Sequence, residues 1–249
     1  MEGFFPQTVF TVFGIPVRDT VISTWIMMII IAAVTIALRR RLRRPLEALI
    51  EFLEDTISGI MGRPAGPYLP FLGALFLFIA FANLLSILPA IPLPGNKMLP
   101  ITSPTRDINT PVALAATVFF VVHYYGIRSQ GALNYLKDLA SPIYLAPLTF
   151  PLEIFSHLSR TVSMAVRLFG NVISTEMVVA VVFMLVPAVA PLPLTGLSMF
   201  TGLLQAYIFT SLATIFIGGA LAAYEPEDGQ SAERAKQTNH VTNVNDQKE

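Results

Sequence analysis

Long apolar stretches alternate with short polar ones along the first half of the chain. A helix needs about twenty mostly apolar residues to cross roughly 30 Å of hydrocarbon. Val21 to Leu38 and Phe71 to Leu88 each supply eighteen residues without a full charge, and Val112 to Tyr125 supplies a shorter stretch of the same kind. This pattern predicts three membrane-crossing helices in the first half of the chain.

The segment between the first two spans has a different periodicity. Five arginines follow the first span directly: Arg39, Arg40, Arg41, Arg43 and Arg44. Such a cluster stays in the cytoplasm because moving it across the membrane is costly, so the amino terminus is expected outside. From Pro45 to Gly62, apolar residues recur at helical spacing while acidic residues gather on another face. This predicts an amphipathic helix lying flat in the membrane interface.

The second half contains a long segment with few helix breakers. From Leu148 to Val186 there is one proline, Pro151, and one glycine, Gly170. The simplest interpretation is a near-continuous helix of 39 residues, which would be about 58 Å long. That is nearly twice the bilayer thickness, so the helix is expected to tilt by roughly 60°. The alternative is two shorter helices with a break near Gly170.

The remaining segments complete an all-α integral membrane protein with about five membrane-crossing helices. Gly131 to Ala140 is typical of a short surface helix, Pro187 to Pro193 of a turn, and Leu194 to Tyr224 of a second long, steeply tilted helix returning to the cytoplasm. We therefore divide the chain into four parts. These are residues 1–20, an external segment; 21–142, three membrane helices with the interfacial helices; 143–224, a tilted helical hairpin; and 225–249, a polar tail expected to be disordered.

Composition excludes several classes of function. Hydrophobic residues make up 54% of the chain and charged residues 13%, with a mean hydropathy of +0.65, which does not fit a water-soluble surface. The formal net charge is zero, so no nucleic-acid partner is expected. The lack of cysteine excludes disulfides, thiolate metal sites and cysteine nucleophiles. No cofactor is expected, and the first twenty residues lack the basic start of a cleavable signal peptide.

The candidate chemistry is concentrated on the predicted long helix. The 82 residues from Ile143 to Tyr224 hold four full charges, and all lie on this helix: Glu153, Arg160, Arg167 and Glu176. A charge at membrane depth costs from about 2.5 to well over 10 kcal/mol, so a partner, a wet cavity or a task must retain it. Arg167 is the deeper arginine and carries a permanent positive charge, because a guanidinium does not lose its proton in proteins. A permanent cation in an apolar wall repels other cations and attracts a carboxylate.

Polar residues of the long helix share one face. They follow one another at steps of three or four: Glu153, Ser156, Arg160, Ser163, Arg167, Asn171 and Ser174. Glu176 comes nine residues after Arg167, so it points to nearly the opposite face about 13 Å further along the axis. The cation and the carboxylate are therefore expected to have separate roles. In the last helix, Ser198, Thr201 and Gln205 form an uncharged strip that would suit a position beside Arg167, where Gln205 could hydrogen-bond the guanidinium.

Other polar residues have a structural interpretation beside a functional one. Arg160 lies nearer the cytoplasmic end and can extend to the interface. Glu153 is expected to pair with Arg160 or with His157. His157 alone is a poor indication of a metal site, because His123 belongs to another span. Asn83 is expected to make a buried contact between helices rather than to line a channel.

Two motifs resemble those of a known family. The first is RLFGNVISTE, from Arg167 to Glu176, and the second is LLQAYIFTSLATIFIG in the last helix. Together with the external segment SPTRDINTPVALA and the HYYGIR end of the third span, these motifs extend over most of the chain. In this set of motifs the chain resembles subunit a of the F-type rotary ATP synthase. The short amino terminus and the PLPLTGL turn resemble the N-type subgroup of bacterial ATPases.

The resemblance implies an ion-translocating stator that is not catalytic by itself and lies in the inner membrane of a bacterium. Its partners would be a ring of c subunits, the b subunits of the peripheral stalk and the lipid bilayer. In this family two offset half-channels carry protons or sodium ions to the ring, and the position of Arg167 separates them. Asn171, Glu176 and Gln205 match positions that line the channels or neighbour the arginine.

Further polar positions are secondary candidates for channel lining. They are Ser163, Ser174, Ser198, Thr201, Arg160, Glu153 and His157. Some family members carry a histidine where this chain has Ser198, a departure that weakens the case for a proton relay from Glu176 to that position.

Two rival functions stay open on the residues alone. A self-contained secondary transporter or channel would use the intramembrane arginine to bind an anionic substrate. A membrane assembly factor would transport nothing. No internal repeat is visible, which weakens the transporter interpretation. The sequence has no G-x-x-x-x-G-K-[ST] phosphate loop, so the chemistry of ATP is assigned to other subunits.

Overall fold

The fold was analysed in a computed structural model. It describes residues 8–12, 15–41, 43–85, 92–93, 97–98, 103–139, 145–185 and 191–222. The tail 225–249, predicted to be disordered, lies outside the described residues.

Helices dominate the described part of the chain. They are α1 (Asp19–Arg41), α2 (Arg43–Met61), α3 (Leu69–Leu85), α4 (Asn109–Gln130), α5 (Ala132–Leu139), α6 (Ala146–Leu185) and α7 (Pro191–Ala222). A short 3-10 helix, Pro104–Arg106, precedes α4. Two small antiparallel hairpins, which the sequence did not predict, pair β1 (Thr8–Val12) with β2 (Ile15–Arg18) and β3 (Pro92–Leu93) with β4 (Lys97–Met98). The prediction of an all-α membrane protein is confirmed.

The described residues include four helical segments that are long and apolar enough to cross a membrane. They are Thr20–Ala37, Asn109–Gln130, Pro147–Leu185 and Leu192–Leu221. A fifth apolar helix, α3, is shorter at 17 residues. At 1.5 Å per residue it is about 26 Å long, slightly less than the hydrocarbon thickness. The five apolar helices correspond to the five predicted crossings, whereas the predicted tilt of the last two stays a prediction.

The long helix α6 runs through 40 residues without interruption. The alternative of two helices with a break near Gly170 is therefore wrong. One glycine costs a helix only about 1 kcal/mol, which the packing of its neighbours offsets. Pro151 removes one backbone hydrogen bond in the second turn but does not interrupt the helix. α7 begins at Pro191, so the predicted turn through Pro193 extends too far. Prolines suit a first helical turn, where backbone N–H groups lack intrahelical acceptors.

The amphipathic helix predicted between the first two spans is α2. Leu53 and Ile57 are buried on its inner face. Its acidic residues are all exposed: Glu47, Glu51, Glu54 and Asp55. The helix ends at Gly62, whose φ of 64° is readily adopted only by glycine and whose N–H donates to the Ser58 carbonyl at 2.8 Å. Its position in the membrane interface stays a prediction.

The core lies where α3, α4 and α6 meet α7. Leu72, Val118, Leu168, Phe209 and Ile217 are at most 2% exposed and belong to one apolar cluster. By contrast, large apolar side chains project outward from α1, α6 and α7, including Trp25 at 69%, Phe155 at 70% and Phe200 at 63% exposure. Exposed apolar surface on this scale requires lipid or a protein partner.

Asn83 joins α3 to α7 as predicted for a buried helix contact. Its side chain is 3% exposed, and its Nδ2 donates to the carbonyl oxygen of Gly202 at 2.9 Å. A Cβ atom on residue 202 would lie 2.8 Å from the Asn83 Cβ. The absence of a side chain at Gly202 therefore allows the two helices to approach closely.

Candidate functional site

Arg167 lies on the outer face of α6. Its neighbours Ala165 and Leu168 are buried on the inner face, whereas Arg167 is exposed between Val162 and Val166, which are 53% and 56% exposed. Within the ranges that the structure describes, no hydrogen bond or ion pair holds the guanidinium. The helix thus presents a permanent cation on an apolar outer surface.

The rest of the predicted polar stripe spreads from this outer face toward half-buried positions. Ser163, Ser174 and Arg160 are exposed, whereas Asn171 and Glu153 are half-buried. The stripe is therefore a continuous polar edge of α6 rather than a set of buried contacts, and solvent or a partner surface can reach its exposed members.

Glu176 is turned away from this edge and forms an ion pair. Its Oε2 lies 3.2 Å from Nε of Arg106, the last residue of the 3-10 helix. The two side chains are only 19% and 12% exposed, respectively. Glu176 and Arg167 thus occupy separate surroundings, as their nine-residue spacing predicts.

A second ion pair lies next to the first. Arg18 Nη1 is 2.9 Å from Oδ2 of Asp107, the residue after Arg106. Asp107 is 5% exposed, and its Oδ1 accepts bonds from the backbone N–H of Asn109 at 3.1 Å and from the Asn109 Nδ2 at 2.8 Å. Asp107 therefore satisfies a free N–H at the start of α4, as a capping side chain does. These contacts hold the 3-10 helix, and with it Arg106, against the ends of α1 and α4.

The predicted polar strip of α7 is oriented mostly inward. Gln205 is 6% exposed, and Ser198 and Thr201 are half-buried and donate to carbonyls of their own helix. In the described residues, no hydrogen bond joins Gln205 to Arg167, and the buried Nε2 of Gln205 has no hydrogen-bond partner. The strip thus lies at the edge of the protein core, and the Gln205 amide nitrogen is available to a group outside the described residues.

A further titratable cluster lies in the first half of α6. Glu153 pairs with His157, with 3.4 Å between Oε1 and Nε2, which decides between the two predicted partners of Glu153. Arg160 instead lies over the ring of Phe216, 5.6 Å from its centroid. The sequence separates His123 from His157, but packing of α4 on α6 brings their ring centroids to 5.3 Å. Among the described residues, no three or more metal-ligating side chains lie together.

Arg106 and His123 are the polar residues that the sequence did not single out. Arg106 is the only basic residue in the segment SPTRDINTP. A single arginine in a loop predicted to be external was the one feature of the sequence that could have marked it as a candidate. No helical periodicity relates a loop residue to α6, so its pairing with Glu176 depends on the tertiary fold.

Comparison with known proteins connects this arrangement to one family. The chain matches the family described as ATP synthase A chain over residues 21–218, a range that contains Arg106, Arg167 and Glu176. Three similar proteins illustrate the match. ATP synthase subunit a 2 of Bradyrhizobium sp. is 38% identical over 216 residues, covering 84% of this chain and 91% of that protein.

The other two relatives come from different bacteria. ATP synthase subunit a 1 of Hahella chejuensis is 37% identical over 212 residues, covering 82% of this chain and 85% of that protein. ATP synthase subunit a of Nitrosospira multiformis is 35% identical over 246 residues, covering 92% and 93%. In these three comparisons the similarity covers at least 82% of this chain and at least 85% of each relative.

Proposed function

This chain belongs to the ATP synthase A chain family, the ion-translocating membrane subunits of F-type ATP synthases, and from that premise we propose how its residues move ions. Arg167 separates two half-channels that open on opposite sides of the membrane. Each half-channel leads to a carboxylate on a ring of c subunits, and ion flow between the two turns the ring.

The observation that carries this proposal is the unpaired cation on the outer face of α6. A charge at membrane depth is retained by a partner, a wet cavity or a task, and the described part of the chain supplies no partner for Arg167. A carboxylate on a neighbouring subunit would satisfy it. The guanidinium would favour the ionised form of each arriving c-subunit carboxylate and would block the direct passage of a cation from one half-channel to the other.

The surroundings of Arg167 suit a rotor surface. Exposed apolar side chains flank it on α6, and α7 adds Leu203 at 47% and Leu204 at 43% exposure. A ring that turns must slide past its stator, so an apolar surface with one fixed charge fits better than a set of salt bridges, which would have to break at every step. The c ring would cover this surface, while lipid and the b subunits would cover the exposed side chains of α1.

We assign the two half-channels to different ends of α6. Glu176 and Asn171, with Gln205 of α7, would line the external one. Glu153, His157 and Arg160, with the exposed hydroxyl of Ser163, would line the cytoplasmic one. Ser174, Ser198 and Thr201 are secondary lining positions. The assignment rests on the arginine cluster after α1, which favours a cytoplasmic location for the end of that helix and hence an external amino terminus.

The protein would lie in the inner membrane of a bacterium with its carboxyl terminus in the cytoplasm; its bacterial relatives and the arginine cluster after α1 support this part of the proposal. It would be non-catalytic, with ATP formed on other subunits. Protons or sodium ions would be its transported species, and no cofactor would be needed.

Copurification and transport by the isolated chain distinguish this function from its rivals. We expect the affinity-purified chain to bring a c ring with it from membranes, and the chain alone in liposomes to conduct almost no ions. Solute or ion uptake by the chain alone would favour a self-contained transporter. Stable expression without any associated ring would favour an assembly factor.

Glu176→Gln is expected to slow ion conduction without abolishing it. The amide keeps the size of the side chain and can still bond, but it cannot take up and release a proton or bind a cation by charge. We expect ATP synthesis at fixed driving force to fall by about tenfold, corresponding to about 1.4 kcal/mol on the transfer barrier. The measurement is the synthesis rate of the reconstituted complex.

Glu51→Gln is the matched control, because Glu51 is an exposed glutamate of α2. It undergoes the same chemical change and should leave the rate unaltered. An unchanged rate in Glu176→Gln would remove Glu176 from the conduction path.

A further inference from the structure

The external end of α6 holds a buried ion pair whose cation comes from outside the helical hairpin. Arg106 belongs to the 3-10 helix between α3 and α4, and its Nε lies 3.2 Å from the Glu176 carboxylate. Both side chains are less than one-fifth exposed. Removing one partner of such a pair leaves the other charge buried and unpaired, which is costly.

We propose that Arg106 is the positioning residue of the external half-channel, which binds the Glu176 carboxylate and keeps it correctly oriented between successive ion transfers. The inference rests on the proposed function of Glu176. It assigns Arg106 a role distinct from that of Arg167, because Arg106 acts on a carboxylate of its own chain and Arg167 faces outward.

The geometry supports a positioning role in three ways. First, the guanidinium carries its N–H donors in a fixed planar arrangement, so a contact with it restrains the orientation of the carboxylate. Second, the adjacent residue Asp107 is bound by Arg18 and by Asn109, and these contacts hold the backbone segment that carries Arg106 in place. Third, the 3-10 helix packs against α1, α3, α4 and α6, which leaves it little freedom to move away from Glu176.

The charge arrangement gives this role a consequence for ion transfer. A nearby cation favours the ionised form of a carboxylate, whereas its own burial favours the neutral form. Without Arg106, the Glu176 carboxylate would lose its charge partner, so the external pH at which Glu176 exchanges ions would change. Among the described residues, the charged groups next to this pair are Asp107, the neighbour of Arg106 in the chain, and Arg18, which is bound to Asp107.

The test compares Arg106→Gln with four other variants in the intact complex in liposomes. ATP synthesis is measured against external pH at constant total driving force, and the voltage is adjusted to compensate for each change in pH. We expect the optimum of Arg106→Gln to move by about one unit or more, the shift that corresponds to a tenfold change in ion occupancy. Arg106→Lys, which keeps the charge but loses the Nε contact, should move it less.

Arg128→Gln is the matched control, because Arg128 is an exposed arginine at the far end of α4 whose Nη1 donates to the Tyr124 hydroxyl at 2.8 Å. It should leave the optimum in place. In the Glu176→Gln background, Arg106→Gln should produce no further shift, because the group through which it acts is gone. An unmoved optimum in Arg106→Gln, an equal shift in Arg128→Gln, or a full shift in the double variant would overturn the inference.

Assembly of the variants also tests the proposal. If Arg106→Gln fails to assemble, the inference requires that Arg106→Gln with Glu176→Gln assembles, because the unpaired buried carboxylate would then be absent. Failure of both would mean that Arg106 only holds the fold, which contradicts the proposal. An effect of Glu176→Gln with none of Arg106→Gln would leave the proposed function intact and reject only the role of Arg106.

Discussion

Replacing Arg167 with alanine is expected to abolish coupled ATP synthesis while the complex still assembles. The side chain is exposed on the outer face of α6 and makes no ion pair within the part of the chain that the structure describes, so removing it disturbs no internal contact. Ion transfer, however, would lose the cation that stabilises an ionised carboxylate at membrane depth. Even the lowest estimate of that cost, about 2.5 kcal/mol, corresponds to a rate loss approaching a hundredfold.

The measurement is ATP synthesis in liposomes, together with the recovery of the c ring on purification. Arg167→Lys keeps a positive charge but loses the planar delocalised cation, so it should retain only a small part of the activity. Arg128→Ala serves as the control, because Arg128 is an exposed arginine at the end of α4 whose Nη1 donates to the Tyr124 hydroxyl at 2.8 Å. Normal synthesis by Arg167→Ala, at a rate equal to that of the control, would refute its role.

Arg167 could be identified from the sequence because a charge inside an apolar helix is visible without knowledge of the fold. The same holds for its separation from Glu176, since nine residues amount to two and a half turns of any α-helix. Continuity of α6 was also predictable, because the absence of further prolines and glycines is a local property.

Contacts between segments far apart in sequence could not be predicted in this way. Arg106 and Glu176 are 70 positions apart, and only the packing of the 3-10 helix on α6 brings them together. His123 and His157 lie on different helices and approach only because α4 packs against α6. Local periodicity indicates which face of a helix is polar, but it does not reveal which other segment covers that face.

The inward orientation of Gln205 illustrates the same limit. Its spacing from Ser198 and Thr201 predicts a shared face, but whether that face meets Arg167 depends on the rotation of α7 about its own axis. Close packing of α7 against α3 sets that rotation, and the contact between Asn83 and Gly202 lies one turn from Gln205. The position of the polar strip therefore depends on Gly202, because the lack of a side chain there allows α7 to pack closely against α3.

Gly202→Leu is accordingly expected to prevent the protein from accumulating in the membrane. Even a Cβ at this position would lie 2.8 Å from the Asn83 Cβ, closer than side-chain carbons normally approach. A leucine would force α3 and α7 apart and remove the Gly202 carbonyl from the Asn83 amide. Overpacking costs about 1–3 kcal/mol and an unpaired buried amide about as much again, a large fraction of the stability of a typical protein.

The measurement is the amount of protein in membranes and the melting temperature of the purified complex. Gly219→Leu is the matched control on the same helix, because Gly219 is exposed and no atom lies within 4 Å of its would-be Cβ. Gly202→Ala should lower the melting temperature less than Gly202→Leu, since it adds a single carbon to the same contact. Equal accumulation of the two leucine variants would show that α3 and α7 do not need close approach at Gly202, and the rotation of α7 would then require another cause.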